Sequence, residues 1–414
     1  MKRRVVVTGI GALTPVGNTI QESWAALCEG KSGIGPLTKF DCAVFETRIA
    51  GELKGFDPLR HVNKKELRRY DDFIIYSLAA ADLAMEDAGL STAEKDGQRA
   101  GVIIGSAIGG LTTMEKAKEN IMAGGPRKMS PFDIPAALAN LAAGHVSIRY
   151  GLKGPIHCPV AACASGTYGV GDAFRIVREG YADIMVAGGV DAAITPLGVG
   201  GFNAMRALSR RNDEPQRASR PFDRDRDGFV MAEGCTLLVL EEMSRALERG
   251  ARIYAEVAGY GVTSDAFHMA APPPGHEGAS RCMAAALADA AMEPSEVDYV
   301  NAHGTSTPLN DTYEIQALRR VFGDAIGRVS ISSTKSMTGH MLGAAGAAEA
   351  AFCVMAITDG VVPPTINLDH PDDEFSGLDL VPHRSRRREV RAAMTNTFGF
   401  GGANAVLIFK RFEE

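Results

Sequence analysis

The 414 residues carry 44 basic against 50 acidic side chains, and a formal charge of −6 argues against a generic nucleic-acid-binding surface. Hydrophobic residues make up 45% and charged residues 23%, which excludes a disordered chain and supports a large buried core. The length exceeds one average domain, so two domains or one large duplicated unit are expected, and 46 glycines point to close backbone packing or many tight turns.

Met1-Lys2-Arg3-Arg4 leads straight into a strand-like run with no secretory pattern. Seven cysteines (28, 42, 158, 163, 235, 282 and 353) are scattered and odd in number, so a reducing cytoplasm with free thiols is expected. Val5 to Thr8 is a β-branched run ending at Gly9-Ile10-Gly11. Thr14 stands at the third glycine position of a dinucleotide turn and Pro15 follows, so that reading is rejected. A helix fits Ile20 to Glu29, stopped by Gly30.

Lys64-Lys65-Glu66-Leu67-Arg68-Arg69 is a compact basic cluster on an acidic background, followed by a long apolar-periodic helix through Ala88. Arg127-Lys128 is a second small basic spot. The strand Ala100 to Ile104 runs into a glycine-rich turn with no Lys-Ser/Thr ending, which excludes a phosphate loop. Next comes Pro159-Val160-Ala161-Ala162-Cys163-Ala164-Ser165-Gly166, with a helical rhythm behind it. A strand fits Asp183 to Ala187, with a small-residue turn at Gly188-Gly189. The 223/225/227 aspartates resemble the start of a calcium loop, but arginines fill the alternate positions and Gly234 stands at the twelfth. Thr236 to Leu240 reads as a strand and Glu241 to Glu248 as a helix.

After Gly250 the pattern restarts. Ile253 to Gly261 echoes residues 5–11, and Val297 to Gly304 echoes the strand and turn at 100–110. Val329 to Thr334 leads into the helix after His340 as residues 156–163 lead into the helix after Cys163. Thr397 to Phe409 parallels Asp227 to Leu240. The chain therefore reads as two similar α/β halves, residues 1–250 and 251–414. Under a pseudo-twofold, Cys163 and His340 occupy equivalent helix starts, and His303 lies on the equivalent of the glycine turn. The Ala/Gly-rich segment Met341 to Thr358 fits a helix buried in protein better than a membrane span.

Taken alone, Cys163 fits either a small buried core residue or a nucleophile at a helix start, where the dipole favours thiolate by about 1 kcal/mol. His303 and His340 are likewise open to structural or catalytic readings. The His157/Cys158/Cys163 group lacks a matching second pair for zinc.

Four collinear motifs narrow these alternatives: Ala161-Ala162-Cys163-Ala164-Ser165-Gly166, His303-Gly304-Thr305-Ser306-Thr307, Lys335-Ser336-Met337-Thr338-Gly339-His340 and Phe398-Gly399-Phe400-Gly401-Gly402. Together they resemble the β-ketoacyl-acyl-carrier-protein synthases of dissociated (type II) fatty acid synthesis over essentially the whole chain. The resemblance implies a thiolase-like duplicated fold of five α-β-α-β-α layers, usually homodimeric. It implies decarboxylating Claisen condensation with Cys163 as nucleophile and His303 and His340 binding the malonyl thioester. The Cys163 and Phe400 amides would form the oxyanion hole, with Phe400 as gate. Lys335 and Glu349 would organise the histidines, Ile108 and Phe202 would wall the acyl pocket, and Thr305 and Thr307 would contact pantetheine. Lys65, Arg68 and Arg69 resemble the docking patch for acyl carrier protein. No catalytic metal or bound cofactor is implied, the substrates riding on the carrier's phosphopantetheine. Some relatives hold a structural monovalent cation near Asn301, Glu349 and Asn396. Departures from the family pattern are Ala161 and Ala403 in place of threonine, and Ala232 and Asn310 in place of glycine. A dissociated polyketide ketosynthase shares the same constellation, a thiolase would carry a second cysteine, and a chain-length factor would lack the nucleophile.

Overall fold

A computed structural model describes residues 3–90 and 97–413; Met1 and Lys2, read above as the start of the chain, lie outside the described residues. Ten strands form one sheet: β1 (Val5–Leu13), β2 (Ala100–Gly105), β3 (Ile156–His157), β4 (Ile184–Asp191), β5 (Gly234–Glu242), β6 (Ala255–Ser264), β7 (Tyr299–Asn301), β8 (Ser330–Ser332), β9 (Ala392–Gly399) and β10 (Ala403–Lys410). Their order is β8-β7-β9-β10-β6-β1-β5-β4-β2-β3. The first five strands occupy one side and the last five the other, in mirrored order. The duplication predicted from pattern is thus a property of the fold. The two halves join where β1 pairs with β6, from Val5↔Val257 to Val7↔Ala255.

The strands alternate their side chains between separate apolar cores, as a period of two requires when both faces are covered. On β5, Leu238 and Leu240 face the central core, whereas Cys235, Leu237 and Val239 face the outer core of the first half. On β10, Ala405, Leu407 and Phe409 face the central core and Val406 and Ile408 the outer core of the second half. The first outer layer holds α1 (Asp72–Asp87) and α2 (Leu141–Tyr150). The middle layer holds α3 (Ser165–Arg178), and the second outer layer α4 (Glu277–Ala290) and α5 (Pro308–Phe322). Also in the middle layer, α6 (Ala345–Asp359) packs on α3. Helices, half-sheet, helices, half-sheet and helices make the expected five layers.

Several boundaries differ from the sequence reading. β1 continues through Gly9 to Leu13 rather than ending in glycines, because a Cβ at Gly11 would sit 2.0 Å from the Ala80 carbonyl of α1. Gly188 and Gly189 likewise lie inside β4, not in a turn. Glu241 and Glu242 belong to β5 rather than to a helix, which begins at Met243. The buried Glu241 carboxylate is drawn into the sheet by Arg245, Arg249 and Thr8. Among the described residues, Leu342–Asp359 alone is long and apolar enough to cross a membrane, and 89% of it is buried inside the protein.

Candidate active site

The chain leaves β3 at the sheet edge and enters α3 through a turn that carries Cys163. Ala162 takes a left-handed φ of 48°, a conformation that costs a non-glycine residue about 1–2 kcal/mol. Ser165 Oγ accepts from the Ala161 amide at 2.9 Å and donates to the Ala162 carbonyl at 2.7 Å, which ties the turn down. Ala161 contributes here through its backbone, so the family's usual threonine is not needed for this lock. A Cβ on Gly166 would lie 2.6 Å from the Gly343 carbonyl, so only glycine lets the helix after Cys163 meet the turn that follows His340.

His340 stands two residues ahead of the Leu342–Ala344 turn that runs into α6, as Cys163 stands two residues ahead of α3, so both lie at helix starts as the sequence suggested. After β8 the chain makes a four-residue helix, Lys335–Thr338, and stops at Gly339, whose φ of 70° suits glycine. His340 is then fixed by its backbone: its amide donates to the Val230 carbonyl at 2.8 Å, and its carbonyl accepts from the Ala232 amide at 2.9 Å. This places His340 Nε2 3.0 Å from Cys163 Sγ. His303 follows β7, and its amide and that of Gly304 each donate to Glu314 of α5 at 2.8 Å. The two imidazoles meet nearly edge-to-face, with centroids 5.4 Å apart.

Burial dominates the electrostatics. It pushes the Cys163 thiol up to about 12, against the Lys335 charge and the amides of Phe400 and Cys163, both of which point at the sulfur. The helix-start effect expected to favour a thiolate is therefore outweighed, and the resting group is a thiol. Both histidines are held well below their ordinary range, first by burial and then by Lys335, so they are neutral. Lys335 donates from Nζ to Glu349 Oε1 in a fully buried pair. Burial lifts the Glu349 carboxyl to about 7, with Lys335 opposing it.

Cys163, His303, His340 and Phe400 line one cavity of about 530 Å³, together with Ile108, Phe202, Thr305 and Thr307. The ring of Phe400, 37% exposed, lies 6.4 Å from that of Phe202. Thr305 and Thr307 share a hydroxyl–hydroxyl hydrogen bond of 2.9 Å. Lys335 and Glu349 stand behind the histidines and do not line the cavity. Neither do Lys65, Arg68 and Arg69. They lie on and after the short helix Lys64–Leu67, with the Arg69 guanidinium 4.2 Å from the centroid of the Phe132 ring. Among the described residues no second cysteine lines the cavity.

The sequence reading missed several acidic and imidazole groups here. Glu314 orients the His303 loop, and its signal was an acid in the core-facing register of α5 with Ile315 and Leu318. Asp191, buried at the end of β4, accepts from Ser106 Oγ at 2.9 Å and from the Ala107 and Gly343 amides at 3.0 and 2.6 Å. It thereby ties the turn of Ile108 to the turn after His340. Asp265 and His276 also line the cavity, from a loop with no motif to mark it.

The family model described as "Beta-ketoacyl synthase, N-terminal domain" matches residues 2–246, and that described as "Beta-ketoacyl synthase, C-terminal domain" matches residues 254–369. The chain belongs to the β-ketoacyl synthase family. Among curated β-ketoacyl synthase relatives, "3-oxoacyl-[acyl-carrier-protein] synthase 2" of Vibrio cholerae is 52% identical over 412 residues, covering 99% of both chains. The protein of that name from Coxiella burnetii is 50% identical over 410 residues, again with 99% of each covered. A solved β-ketoacyl synthase from Burkholderia phymatum aligns over the full length of both chains at 37% identity with a TM-score of 0.93. A type II polyketide ketosynthase, solved in complex with its acyl-carrier protein, aligns over 100% of both chains at 36% identity and a TM-score of 0.93.

Proposed function

We propose that this β-ketoacyl synthase elongates acyl chains by decarboxylating Claisen condensation in fatty acid synthesis. The observation that carries the reading is the convergence of a buried thiol and two neutral imidazoles on one cavity. Cys163 Sγ attacks the acyl thioester as its proton passes to His340 Nε2, and the pantetheine thiol leaves with a proton. The Cys163 and Phe400 amides would hold the oxyanion, each such donor being worth about 3 kcal/mol. A malonyl thioester then binds with its carbonyl oxygen facing the two imidazoles, whose N–H groups stabilise the enolate as CO2 departs. The carbanion attacks the acyl-Cys163 carbonyl, the thiolate is expelled and takes up a proton, and the 3-oxoacyl thioester is released. Neutral imidazoles suit this role because they donate without carrying a charge that the enolate would titrate.

The names of the 50–52% identical relatives specify an acyl carrier protein, and we infer the same substrate carrier here. Lys65, Arg68 and Arg69 offer a basic patch for an acidic carrier surface. The outermost strand of the first half, β3, leaves an open edge, with Ile156 47% and nearby Val160 64% exposed, which supports a homodimer built across it. All seven cysteines are free thiols, in keeping with a cytoplasmic setting. The reading assigns no catalytic metal or bound cofactor. The buried oxygens Asn301 Oδ1, Asn396 Oδ1 and Glu349 Oε2 have no donor among the described residues, and that oxygen-only set fits a structural monovalent cation.

A ladder of acyl-carrier thioesters incubated with malonyl-carrier protein tests the function. The expected products are 3-oxoacyl thioesters two carbons longer, formed with stoichiometric CO2. Acyl exchange between thiols without CO2 release would overturn the reading in favour of simple acyl transfer.

A further inference from the structure

One residue of the cavity carries two energetic penalties at once. His276, at the N-terminus of α4, adopts the left-handed conformation (φ 45°, ψ 59°). Its ring is 1% exposed, and among the described residues neither Nδ1 nor Nε2 has a hydrogen-bond partner. Strain and an unsatisfied buried polar group persist where the surroundings impose them for a purpose.

Those surroundings are specific. Nε2 lies 3.5 Å from Asp265 Oδ2, just beyond hydrogen-bonding geometry. The ring meets Phe398 edge-to-face at 4.5 Å, and Phe398 in turn meets His303 at 5.6 Å. Asp265 is the anchor of the turn that carries Phe400. Its amide donates to the Gly402 carbonyl at 2.9 Å, and Oδ1 accepts from Asn404 Nδ2 at 2.7 Å. The Gly401 amide donates to the Met269 carbonyl at 2.8 Å, so the segment 265–276 straps down the whole turn. Burial would raise the Asp265 carboxyl, yet His276 and Asn404 hold it below its ordinary range.

We propose that His276 is a positioning residue of the oxyanion site: wedged between Asp265 and Phe398, it holds the strap that seats the Gly399–Gly402 turn and the Phe400 amide against Cys163. The inference rests on the condensation reading above. Any outward swing of Phe400 that separates the turn from the strap breaks the Asp265–Gly402 and Gly401–Met269 hydrogen bonds. Reseating them requires the Asp265 carboxylate in place. The imidazole fills the space behind that carboxylate and keeps an N–H within reach of it.

Two variants test the idea. His276→Gly accepts a φ of 45° without strain but leaves a cavity beside Phe398, so it is expected to fold with a lowered melting temperature. Asparagine tolerates the same conformation and keeps a donor toward Asp265, so His276→Asn is the rescue. The expected result for His276→Gly is slower acylation of Cys163 by intact-mass measurement, because the Phe400 amide also serves the oxyanion of that step. Its kcat for condensation should fall about 10- to 100-fold, as for a misplaced catalytic group, with little change in the malonyl KM. His276→Asn should recover most of that kcat. Wild-type acylation and kcat in His276→Gly, or no recovery in His276→Asn, would overturn the inference. Wild-type protein that forms no 3-oxoacyl product would overturn the condensation reading instead.

Discussion

His340 Nε2 lies 3.0 Å from Cys163 Sγ, although the two residues are 177 positions apart. Each is delivered by its own half of the duplicated fold, Cys163 between β3 and α3 and His340 between β8 and α6. The site therefore exists only where the halves meet. A thiol held near 12 beside a neutral imidazole is an uncharged pair, which leaves no buried ion to stabilise before substrate arrives.

The thiol's high pKa sets its reactivity profile. Alkylation of Cys163 by iodoacetamide should climb steadily from pH 7 to pH 10, because the thiolate fraction is still rising there. A plateau near neutrality, measured by peptide mass spectrometry, would show a thiolate at rest instead. Cys163→Ala should form no acyl-enzyme, and a stable adduct on that variant would move the nucleophile elsewhere.

Acylation and decarboxylation should separate in the histidine variants. His303→Ala should still acylate Cys163 while losing about 100- to 1,000-fold in malonyl decarboxylation, the usual consequence of removing one donor to a developing oxyanion. His340→Ala should slow both steps, because its Nε2 lies 3.0 Å from the sulfur. Release of CO2 at the wild-type rate from either variant would remove that residue from the malonyl step.

Lys335 lowers both histidines through space. Lys335→Met removes that field, so the imidazole pKa values rise and the residues protonate at higher pH. The acidic limb of the kcat profile should move to higher pH, since a protonated His340 cannot accept the thiol proton. The variant also strands the Glu349 carboxyl, at a stability cost of about 3–5 kcal/mol. An acidic limb that stays fixed or moves down would contradict this coupling.

Asp191→Asn presents an amide NH2 to backbone donors at Ala107 and Gly343, and should cost about 2 kcal/mol for the unsatisfied groups. Burial raises the Asp191 carboxyl to about 6. With an unfolded value of about 4, the wild-type stability linked to its protonation is complete below that pH and lost as pH rises through 6. The gap between wild type and variant in urea unfolding should therefore narrow between pH 4 and pH 7. A gap that widens over that range would mean the folded state favours the ionised carboxylate.

Much of this molecule could be read from local pattern. The β-branched runs, the helical rhythm behind Cys163 and the restart after Gly250 report backbone periodicity, which depends only on neighbours along the chain. The motif residues Cys163, His303, His340 and Phe400 were legible as candidates because such chemistry would restrict which side chains can serve. Tertiary structure decided the rest. Gly9 and Gly11 sit inside a strand because α1 presses its backbone on them, and Glu241 joins β5 because Arg245 and Arg249 meet its carboxylate there. The charge state of Cys163 follows from how deeply the assembled halves bury it, which outweighs the helix-start effect legible in sequence. Asp191, Glu314, Asp265 and His276 entered the site from segments without a motif, because burial and distance across the pseudo-twofold, rather than spacing along the chain, give a carboxylate or an imidazole its partner.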